Sequence, residues 1–163
     1  MIIRKTERQD LPALLDIYNY EVEHGVATLD LHPRTAAQWD QWFDDHGSDT
    51  HFILTAEMNG VPAGYASLSE YRTKEAYAST VELSVYVGKD FRRMGVASAL
   101  MASILKMARE NPAIHSVVSV ITSGNEASTR IHEKFGFRFC GTLHEVGRKM
   151  GALRDIDNYE LLV

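Results

Sequence analysis

The sequence predicts a single mixed α/β domain, because strand-like and helix-like patterns follow one another without an intervening linker. Residues Val81 to Val87 alternate between apolar and polar types, as a strand with two chemically different faces does. Residues Val96 to Ala108 place their apolar side chains at helical spacing. No internal repeat or low-complexity segment interrupts the 163 residues, so we expect one domain over residues 1–163.

The first third of the chain is predicted to be mainly helical. Ile2-Ile3 indicates a short strand, and Asp10 with Pro12 indicates the start of a helix that Asp10 caps. A second helix is predicted to begin at Thr35, which can form a capping box with Gln38. The apolar face of this second helix consists of Trp39, Trp42 and Phe43.

The middle of the chain is predicted to contribute three strands. Phe52–Met58 and Val61–Ser69 flank Asn59-Gly60, a dipeptide that suits the positive φ angles of a tight hairpin turn. In the strand Val81–Val87, alternate side chains lie on the same face of the sheet. One face of that strand is expected to carry Glu82, Ser84 and Tyr86.

The last third is predicted to be two helices and three strands. The long helix that follows Gly95 should stop before Asn111-Pro112, because a residue that precedes proline disfavours the helical conformation. Asn125 is expected to cap the next helix, and Gly136 to end it. The predicted strands are Val117–Ile121, Arg138–Glu145 and Leu153–Leu162.

Charge and composition exclude several classes of protein. A net charge of −5 argues against a nucleic-acid partner, which would favour a basic surface. The charged residues within Met1–Glu7 do not fit a signal peptide, and no apolar run reaches membrane-spanning length. We therefore expect a cytoplasmic protein with no membrane partner. Cys140 is the only cysteine, and its apolar neighbour Phe139 favours an inert strand residue over a nucleophile.

A loop between the alternating strand and the long helix has the features of a phosphate site. A diphosphate needs converging N–H donors, a backbone that it can approach closely, and positive potential. A turn that contains Gly95 and leads into a helix N-terminus supplies all three, and Arg92 and Arg93 add positive charge. A solvated basic loop in which Gly95 only permits a turn is the alternative. The loop matches neither the nucleoside triphosphate motif nor the dinucleotide motif.

Short motifs occur in a fixed order along nearly the whole chain. Arg92-x-x-Gly95-x-Ala97 stands between the alternating strand and the long helix. The others are Ile17-Tyr18-Asn19, Gly64-Tyr65-Ala66-Ser67, Val81-Glu82-x-Ser84-Val85-Tyr86-Val87, Asn125-Glu126-Ala127-Ser128, His132-Glu133-Lys134-Phe135-Gly136-Phe137, Val146-Gly147-x-Lys149 and Asp155. Together they resemble the GCN5-related N-acetyltransferase (GNAT) superfamily, in its phosphinothricin and methionine sulfoximine acetyltransferase branch. The resemblance implies a central, mostly antiparallel, splayed β-sheet flanked by helices.

The same resemblance implies acetyl-CoA as cosubstrate. The strand that carries Val85, Tyr86 and Val87 would offer its backbone to the pantetheine arm. The pyrophosphate would lie on Arg93, Met94, Gly95, Val96, Ala97 and Ser98. Asn125 would donate a hydrogen bond near the pantetheine, although from the residues alone it is a helix cap.

Acetyl transfer needs a proton acceptor, because an amine attacks a thioester only when it is neutral. The resemblance implies that Glu82 takes this proton, directly or through water. The backbone N–H of Val85 or of its neighbour is a candidate donor to the charge that develops on the thioester oxygen. Many members of the superfamily have a tyrosine that protonates the CoA thiolate, and the branch has a histidine at that place. His132 stands there, so it would donate this proton or orient the substrate.

The resemblance also implies where the acceptor amine binds. The segment Tyr71–Tyr77 matches the substrate loop of the branch, and Arg72, Thr73 and Lys74 lie within it. Arg72 could bind a substrate carboxylate in the bidentate manner. The substrate segment would be completed by Glu82, Leu83 and Ser84. A small amino-acid analogue such as phosphinothricin, methionine sulfoximine or methionine sulfone is the expected substrate, and the branch implies a homodimer.

The sequence contains no motif for a metal-dependent or an acyl-enzyme mechanism. The remaining histidines show no paired ligand spacing, and neither His132-Glu133 nor His144-Glu145 completes a zinc-binding motif, so no metal is predicted. The sequence lacks the Gly-x-Ser-x-Gly elbow that would suggest a covalent acyl-enzyme. Two alternatives stay open. One is acetylation of a protein N-terminus or another small amine, and the other is a noncatalytic acyl-CoA sensor that retains the fold.

Overall fold

The computed structural model describes residues 1–163 and orders them around one seven-stranded sheet. Four α-helices and seven strands follow one another in the order that the sequence predicts. They are β1 (Ile2–Lys5), α1 (Leu11–His24), α2 (Ala36–Asp44), β2 (Phe52–Met58), β3 (Val61–Glu70), β4 (Thr80–Val87), α3 (Val96–Glu110), β5 (Ser116–Thr122), α4 (Glu126–Lys134), β6 (Arg138–Lys149) and β7 (Ala152–Leu162). None of the helices combines the length and the hydropathy needed to cross a membrane.

The sheet divides at its centre. Its strand order is β1-β2-β3-β4-β5-β7-β6, and every neighbouring pair is antiparallel except β4 and β5. That parallel pair is hydrogen-bonded only between Thr80–Glu82 and Ser116–Val118. Both strands continue beyond this register without pairing, so a fork opens at the middle of the sheet. The predicted mostly antiparallel, splayed sheet is confirmed.

Helices cover both faces of the sheet. Helix α3 lies on one face, where Leu100, Met101, Ile104 and Leu105 are fully buried. Helices α1 and α2 lie on the other face. A smaller core there consists of Leu11, Leu14, Trp39, Ile53 and Tyr65. Alternate residues of β2 and β3 enter the two cores, because successive side chains of a strand point to opposite faces.

Two predicted local structures are confirmed in detail. Thr35 caps α2 and exchanges hydrogen bonds with Gln38, which is the predicted capping box. The hairpin between β2 and β3 turns through Asn59 at φ 52° and Gly60 at φ 78°. Both residues of the turn have positive φ, as the Asn-Gly dipeptide predicts.

The prediction that Asp10 caps the first helix is wrong. Asp10 has helical dihedral angles, and its carboxylate makes no capping bond within α1. It instead accepts hydrogen bonds from Arg4 at 2.7 and 2.8 Å and from the N–H of Glu7 at 2.9 Å. Burial opposes ionisation of Asp10, but these partners outweigh burial and lower its pKa. The residue therefore anchors β1 to the start of α1.

The last hairpin is longer than predicted. Strand β6 continues past Glu145 to Lys149, and its register shifts between Leu143 and Gly147. Glu145 takes a left-handed φ of 54°, and its N–H donates to Asp155 Oδ1 at 2.7 Å. Such a bulge interrupts the alternation of side chains, and the sequence pattern therefore ended the strand too early.

Candidate active site

A groove of about 580 Å³ occupies the fork between β4 and β5. Beyond Leu83, whose carbonyl oxygen accepts a hydrogen bond from Ser119, the edge of β4 that faces β5 has no partner in the protein, so its backbone groups are available to a ligand. The start of α3 and the start of α4 complete the walls. Every residue predicted to bind the cofactor lines this groove except Met94, whose side chain is exposed.

The start of α3 provides hydrogen-bond donors without partners in the helix. The N–H groups of Val96, Ala97 and Ser98 belong to its first turn, where helical geometry supplies no acceptor. The preceding turn contains two left-handed residues, Arg93 at φ 63° and Gly95 at φ 82°. Such backbone turns bind anions in many proteins, and the helix dipole adds positive potential.

The two arginines of this loop have different surroundings. Arg92 forms an ion pair with Glu21 of α1, and its guanidinium lies 5.9 Å from the ring centre of Tyr20. Arg93 lines the same groove and forms no ion pair. Arg93 is therefore the uncompensated positive charge beside the start of α3.

Asn125 serves two purposes at the far wall of the groove. Its side-chain oxygen accepts a hydrogen bond from the N–H of Ser128 at 3.2 Å, which caps α4. Its amide NH₂ forms no hydrogen bond within the protein, and the residue lines the groove. The cap fixes the side chain so that these donors remain available.

His132 is buried at the apex of the fork and is hydrogen-bonded through both ring nitrogens. Nδ1 lies 2.7 Å from the carbonyl oxygen of Ser128, and Nε2 lies 2.8 Å from Ser119 Oγ. A carbonyl oxygen only accepts, so Nδ1 carries a proton. Burial lowers the pKa of His132, which favours the neutral ring. In that form Nε2 accepts a hydrogen bond from the hydroxyl of Ser119, and the carbonyl oxygen of Leu83, 3.2 Å from the same hydroxyl, competes for its proton.

A second cavity, of about 310 Å³, lies on the opposite side of β4 beneath α1 and α2. It shares Ser84 and Tyr86 with the groove, so the two cavities meet at this strand. We call it the acceptor pocket. Its lining is Tyr18, Thr28, Arg34, Gln38, Trp39, Trp42, Tyr65, Ser67, Ser69, Glu82, Ser84 and Tyr86.

Glu82 is the only carboxylate in the acceptor pocket. It forms no ion pair, and burial alone raises its pKa above the usual value. The carboxylate therefore binds a proton more strongly than a solvated glutamate does, which suits a general base. The prediction that Glu82 shares a face with Ser84 and Tyr86 is confirmed, because all three line this pocket.

Arg34 is the only basic residue in the acceptor pocket. Its Nε donates to Asp30 Oδ2 at 2.8 Å, and Asp30 also accepts a hydrogen bond from the Tyr18 hydroxyl at 2.7 Å. This network fixes the guanidinium at the edge of the pocket and leaves its terminal nitrogens for an anionic group.

The predicted substrate residues are not all brought together. Glu82 and Ser84 line the acceptor pocket, whereas Leu83 faces the groove, as alternation along β4 requires. Arg72, Thr73 and Lys74 are exposed and line neither cavity. The Arg72 guanidinium lies 5.1 Å from the ring centre of Tyr71 and 5.6 Å from that of Tyr77.

A buried lysine supports the loop that supplies Thr28 and Arg34. Lys149, at the end of β6, is 4% exposed. Its Nζ donates to the carbonyl oxygens of Thr28 at 2.7 Å and of Glu21 at 3.3 Å. Desolvation lowers the pKa of Lys149, and the nearby carboxylates of Asp30 and Glu21 oppose that change. The lysine thereby connects the C-terminal hairpin to one wall of the acceptor pocket.

Comparison with known protein families identifies this arrangement. The family model described as Acetyltransferase (GNAT) family matches residues 13–137. The chain belongs to the GNAT acetyltransferase family. The chain is similar to the phosphinothricin N-acetyltransferase of Streptomyces coelicolor, with 38% identity over 97% of this chain and 94% of the Streptomyces protein. The L-methionine sulfoximine/L-methionine sulfone acetyltransferase of Pseudomonas aeruginosa is 36% identical, over 98% of this chain and 92% of the Pseudomonas protein.

Solved structures of GNAT proteins have the same fold. A ribosomal-protein-alanine N-acetyltransferase from Brucella melitensis superposes with a TM-score of 0.96 at 36% identity, covering 100% of both chains. A phosphinothricin acetyltransferase from Sinorhizobium meliloti, solved in complex with acetyl-CoA, gives a TM-score of 0.93 at 25% identity. That comparison covers 99% of this chain and 88% of the Sinorhizobium chain. The predicted family and fold class are confirmed.

Several residues of this GNAT site were not predicted from the sequence. Trp39 and Trp42 were assigned only to an apolar helix face, yet both line the acceptor pocket. On β3 the alternation of Tyr65, Ser67 and Ser69 was a usable signal. These residues pair with Tyr86, Ser84 and Glu82 respectively in the antiparallel register. Ser119 had no such signal, because its role depends on contact with His132.

Proposed function

We propose that this protein transfers the acetyl group of acetyl-CoA to the amine of a small amino-acid analogue, such as phosphinothricin, methionine sulfoximine or methionine sulfone. The observation that carries the proposal is the position of Glu82 in a pocket that meets the groove at Ser84 and Tyr86. The names of the two relatives support this class of amine. The pocket volume of about 310 Å³ suits a small molecule.

The groove has the chemistry that acetyl-CoA requires. The first turn of α3 and Arg93 would hold the pyrophosphate, and the backbone of Val85 and Val87 would bind the pantetheine arm. Asn125 would donate its free amide NH₂ to the same arm. Acetyl-CoA would supply the activated acyl group, and the protein would place that group where β4 separates the two cavities.

Glu82 would remove a proton from the acceptor ammonium, directly or through one water, because only the neutral amine is nucleophilic. The N–H of Val85 would stabilise the negative charge that develops on the thioester oxygen. His132 would influence protonation of the departing CoA thiolate through Ser119. Its Nε2 contacts that hydroxyl, whereas its Nδ1 is bound to a carbonyl oxygen. In its neutral form His132 carries no proton on Nε2, so it would donate to the thiolate only after taking up a second proton, and otherwise its role would be to orient the groups around it.

The test is release of free CoA thiol from acetyl-CoA in the presence of a panel of amines. The panel contains phosphinothricin, methionine sulfoximine, methionine sulfone, unmodified methionine and a short peptide with an N-terminal alanine. We expect the first three to be acetylated with higher kcat/KM than the peptide. The peptide is included because of the Brucella structure named for ribosomal-protein alanine. Preference for the peptide would favour protein acetylation, and no turnover would favour an acyl-CoA sensor.

Two arginines are candidates to bind an anionic group of the substrate. Arg34 lines the acceptor pocket, whereas Arg72 lies on an exposed loop, where resemblance alone supports it. We expect Arg34→Ala to raise KM for the amine roughly tenfold to a hundredfold, as the loss of a charge-assisted contact does. Arg72→Ala is the matched comparison. A larger effect of Arg72→Ala would mean that its loop closes over the pocket during binding.

We also propose that the protein forms a homodimer through β6, which is an edge strand of the sheet. The β6–β7 hairpin exposes several large apolar side chains, namely Phe139, Leu143, Val146 and Leu153. An exposed apolar edge strand is a site of association. We expect Leu143→Glu to shift the mass measured by light scattering from dimer to monomer, and Val61→Glu, at an exposed residue of β3, to leave it unchanged. A monomeric wild type would contradict the proposal.

We propose a cytoplasmic location as well. Cys140 is an exposed free thiol, and such a thiol suits a reducing compartment. Slight desolvation and the neighbouring Glu160 raise the pKa of Cys140, which disfavours its reactive thiolate form. This agrees with the interpretation of Cys140 as an inert strand residue.

A further inference from the structure

The acceptor pocket contains a serine whose hydrogen-bonding direction is determined by a histidine outside the pocket. His46 follows α2, and its Nε2 lies 2.7 Å from Ser69 Oγ on β3. Its Nδ1 lies 2.6 Å from the carbonyl oxygen of Trp42. Ser69 lines the pocket, whereas His46 does not. His46 is half-buried and packs against Trp42, with 4.9 Å between the ring centres.

The positions of the protons follow from these two contacts. The carbonyl oxygen of Trp42 can only accept, so Nδ1 of His46 carries a proton. In the neutral ring Nε2 then has a lone pair and accepts from the hydroxyl of Ser69. Burial lowers the pKa of His46, in agreement with this form. Since Ser69 has a single hydroxyl proton, its oxygen presents only lone pairs to the pocket.

Ser69 lies beside the group proposed to act as the base. Its Cα pairs with that of Glu82 across the β3–β4 ladder, and both side chains line the acceptor pocket. Directly opposed residues of an antiparallel pair have Cβ atoms about 5 Å apart. An amine bound to Glu82 is therefore within reach of Ser69 Oγ. The hydroxyl groups of Ser67 and Ser84 form no hydrogen bond within the protein, so neither has a fixed direction.

We propose that Ser69, oriented by His46, is a fixed hydrogen-bond acceptor for an N–H of the acceptor amine. This inference rests on the proposed function, because it concerns how the amine of that reaction is held. With one N–H held by Ser69 while Glu82 removes the proton of another, the rotation of the amino group is restricted, and the lone pair forms in a defined direction. His46 is a positioning residue, since it acts only through Ser69.

The first measurement is binding of methionine sulfoximine, followed through tryptophan fluorescence. Trp39 and Trp42 are the only tryptophans of the chain, and both line the acceptor pocket. We expect Ser69→Ala to raise the Kd roughly two- to tenfold, the effect of one lost hydrogen bond. Steady-state KM for the amine should rise similarly, while KM for acetyl-CoA should not change.

Variants of His46 separate orientation from simple contact. His46→Phe keeps a ring but removes the acceptor, and we expect it to weaken amine binding in the same direction as Ser69→Ala. His46→Gln can present an oxygen to Ser69, so it should restore most of the affinity. In the double variant His46→Phe/Ser69→Ala the loss should equal that of Ser69→Ala alone, because the histidine acts through the serine. His24→Phe is the control, since exposed His24 lines neither the groove nor the acceptor pocket.

Each failure has a distinct form. Unchanged binding in folded Ser69→Ala would overturn the inference and leave the proposed function intact. Tighter binding in His46→Phe combined with weaker binding in Ser69→Ala would mean that Ser69 donates to the substrate, which also overturns it. A wild type that binds the amine without acetylating it would refute the proposed function, while the binding series would still test Ser69. A wild type that does not bind the amine would refute both.

Discussion

Glu82→Gln is expected to lower kcat by about 10² to 10⁴, the usual contribution of general-base catalysis. The substitution keeps the size of the side chain and removes the proton acceptor, so acetyl-CoA affinity should be unchanged. Glu70→Gln is the matched control, because Glu70 is exposed at the end of β3 and lines neither cavity. The measurement is thiol release at saturating acetyl-CoA with one amine that the wild type acetylates.

The pH dependence distinguishes a base from a binding group. Burial raises the pKa of Glu82, so wild-type kcat/KM should fall as the pH decreases through that raised value and the carboxylate becomes protonated. The kcat/KM of the variant should not show this fall. It should instead rise as the pH approaches the pKa of the amine, about 8 for an α-amino group. Its deficit should therefore shrink at high pH. Equal activity of both proteins from about pH 6 to pH 9 would contradict the assignment.

Stability provides an independent check on the same substitution. A carboxyl group whose pKa is higher in the folded than in the unfolded state loses stabilising free energy as the pH rises through the folded value. Above that folded value the ionised Glu82 therefore disfavours the folded state. Glu82→Gln should match or exceed the wild type in thermal stability at pH 7. A less stable variant would indicate that lost activity reflects misfolding.

Gly95→Val is expected to weaken acetyl-CoA binding roughly tenfold to a hundredfold. No protein atom lies within 4 Å of a Cβ built on Gly95, so the side chain would meet no steric clash within the protein. The cost comes from its φ of 82°, which a β-branched residue avoids. The turn would relax in the free protein, and binding of the pyrophosphate would have to restore it.

Gly60→Val is the control for this experiment. Gly60 has a φ of 78° and equally open space around a Cβ, but it lies in the β2–β3 hairpin and lines neither cavity. Both variants should lose thermal stability, and only Gly95→Val should lose affinity for acetyl-CoA in calorimetry. Unchanged affinity in folded Gly95→Val would remove Gly95 from the cofactor site.

The sequence predicted best the features that depend on local periodicity. The alternation around Glu82 and the helical spacing after Gly95 determined the two elements beside the groove, and both elements formed as expected. Features that depend on partners in other elements were not predicted. Asp10 binds Arg4 rather than the helix N-terminus, and Ser69 binds a histidine 23 positions earlier. A single sequence contains no signal for such pairs, because propensity describes only near neighbours.

Arg34 illustrates a second limit. It lies in the irregular segment between α1 and α2, where no period relates one side chain to the next. Its position depends on Asp30, on Tyr18 and on a buried lysine from the other end of the chain. The family resemblance instead predicted Arg72 as the substrate-binding arginine. Its loop matches a motif, but its side chain lies on neighbouring tyrosines.

The two cavities are lined by different parts of the chain. Residues 18–42 provide half of the acceptor pocket, namely Tyr18, Thr28, Arg34, Gln38, Trp39 and Trp42. The same stretch gives the groove only Glu21 and Ala27. Amine selectivity can therefore diverge by substitution in this one segment while the machinery for acetyl-CoA stays constant. A designer who wants a new acceptor specificity can vary α1, α2 and their connection and leave β4 and the start of α3 untouched.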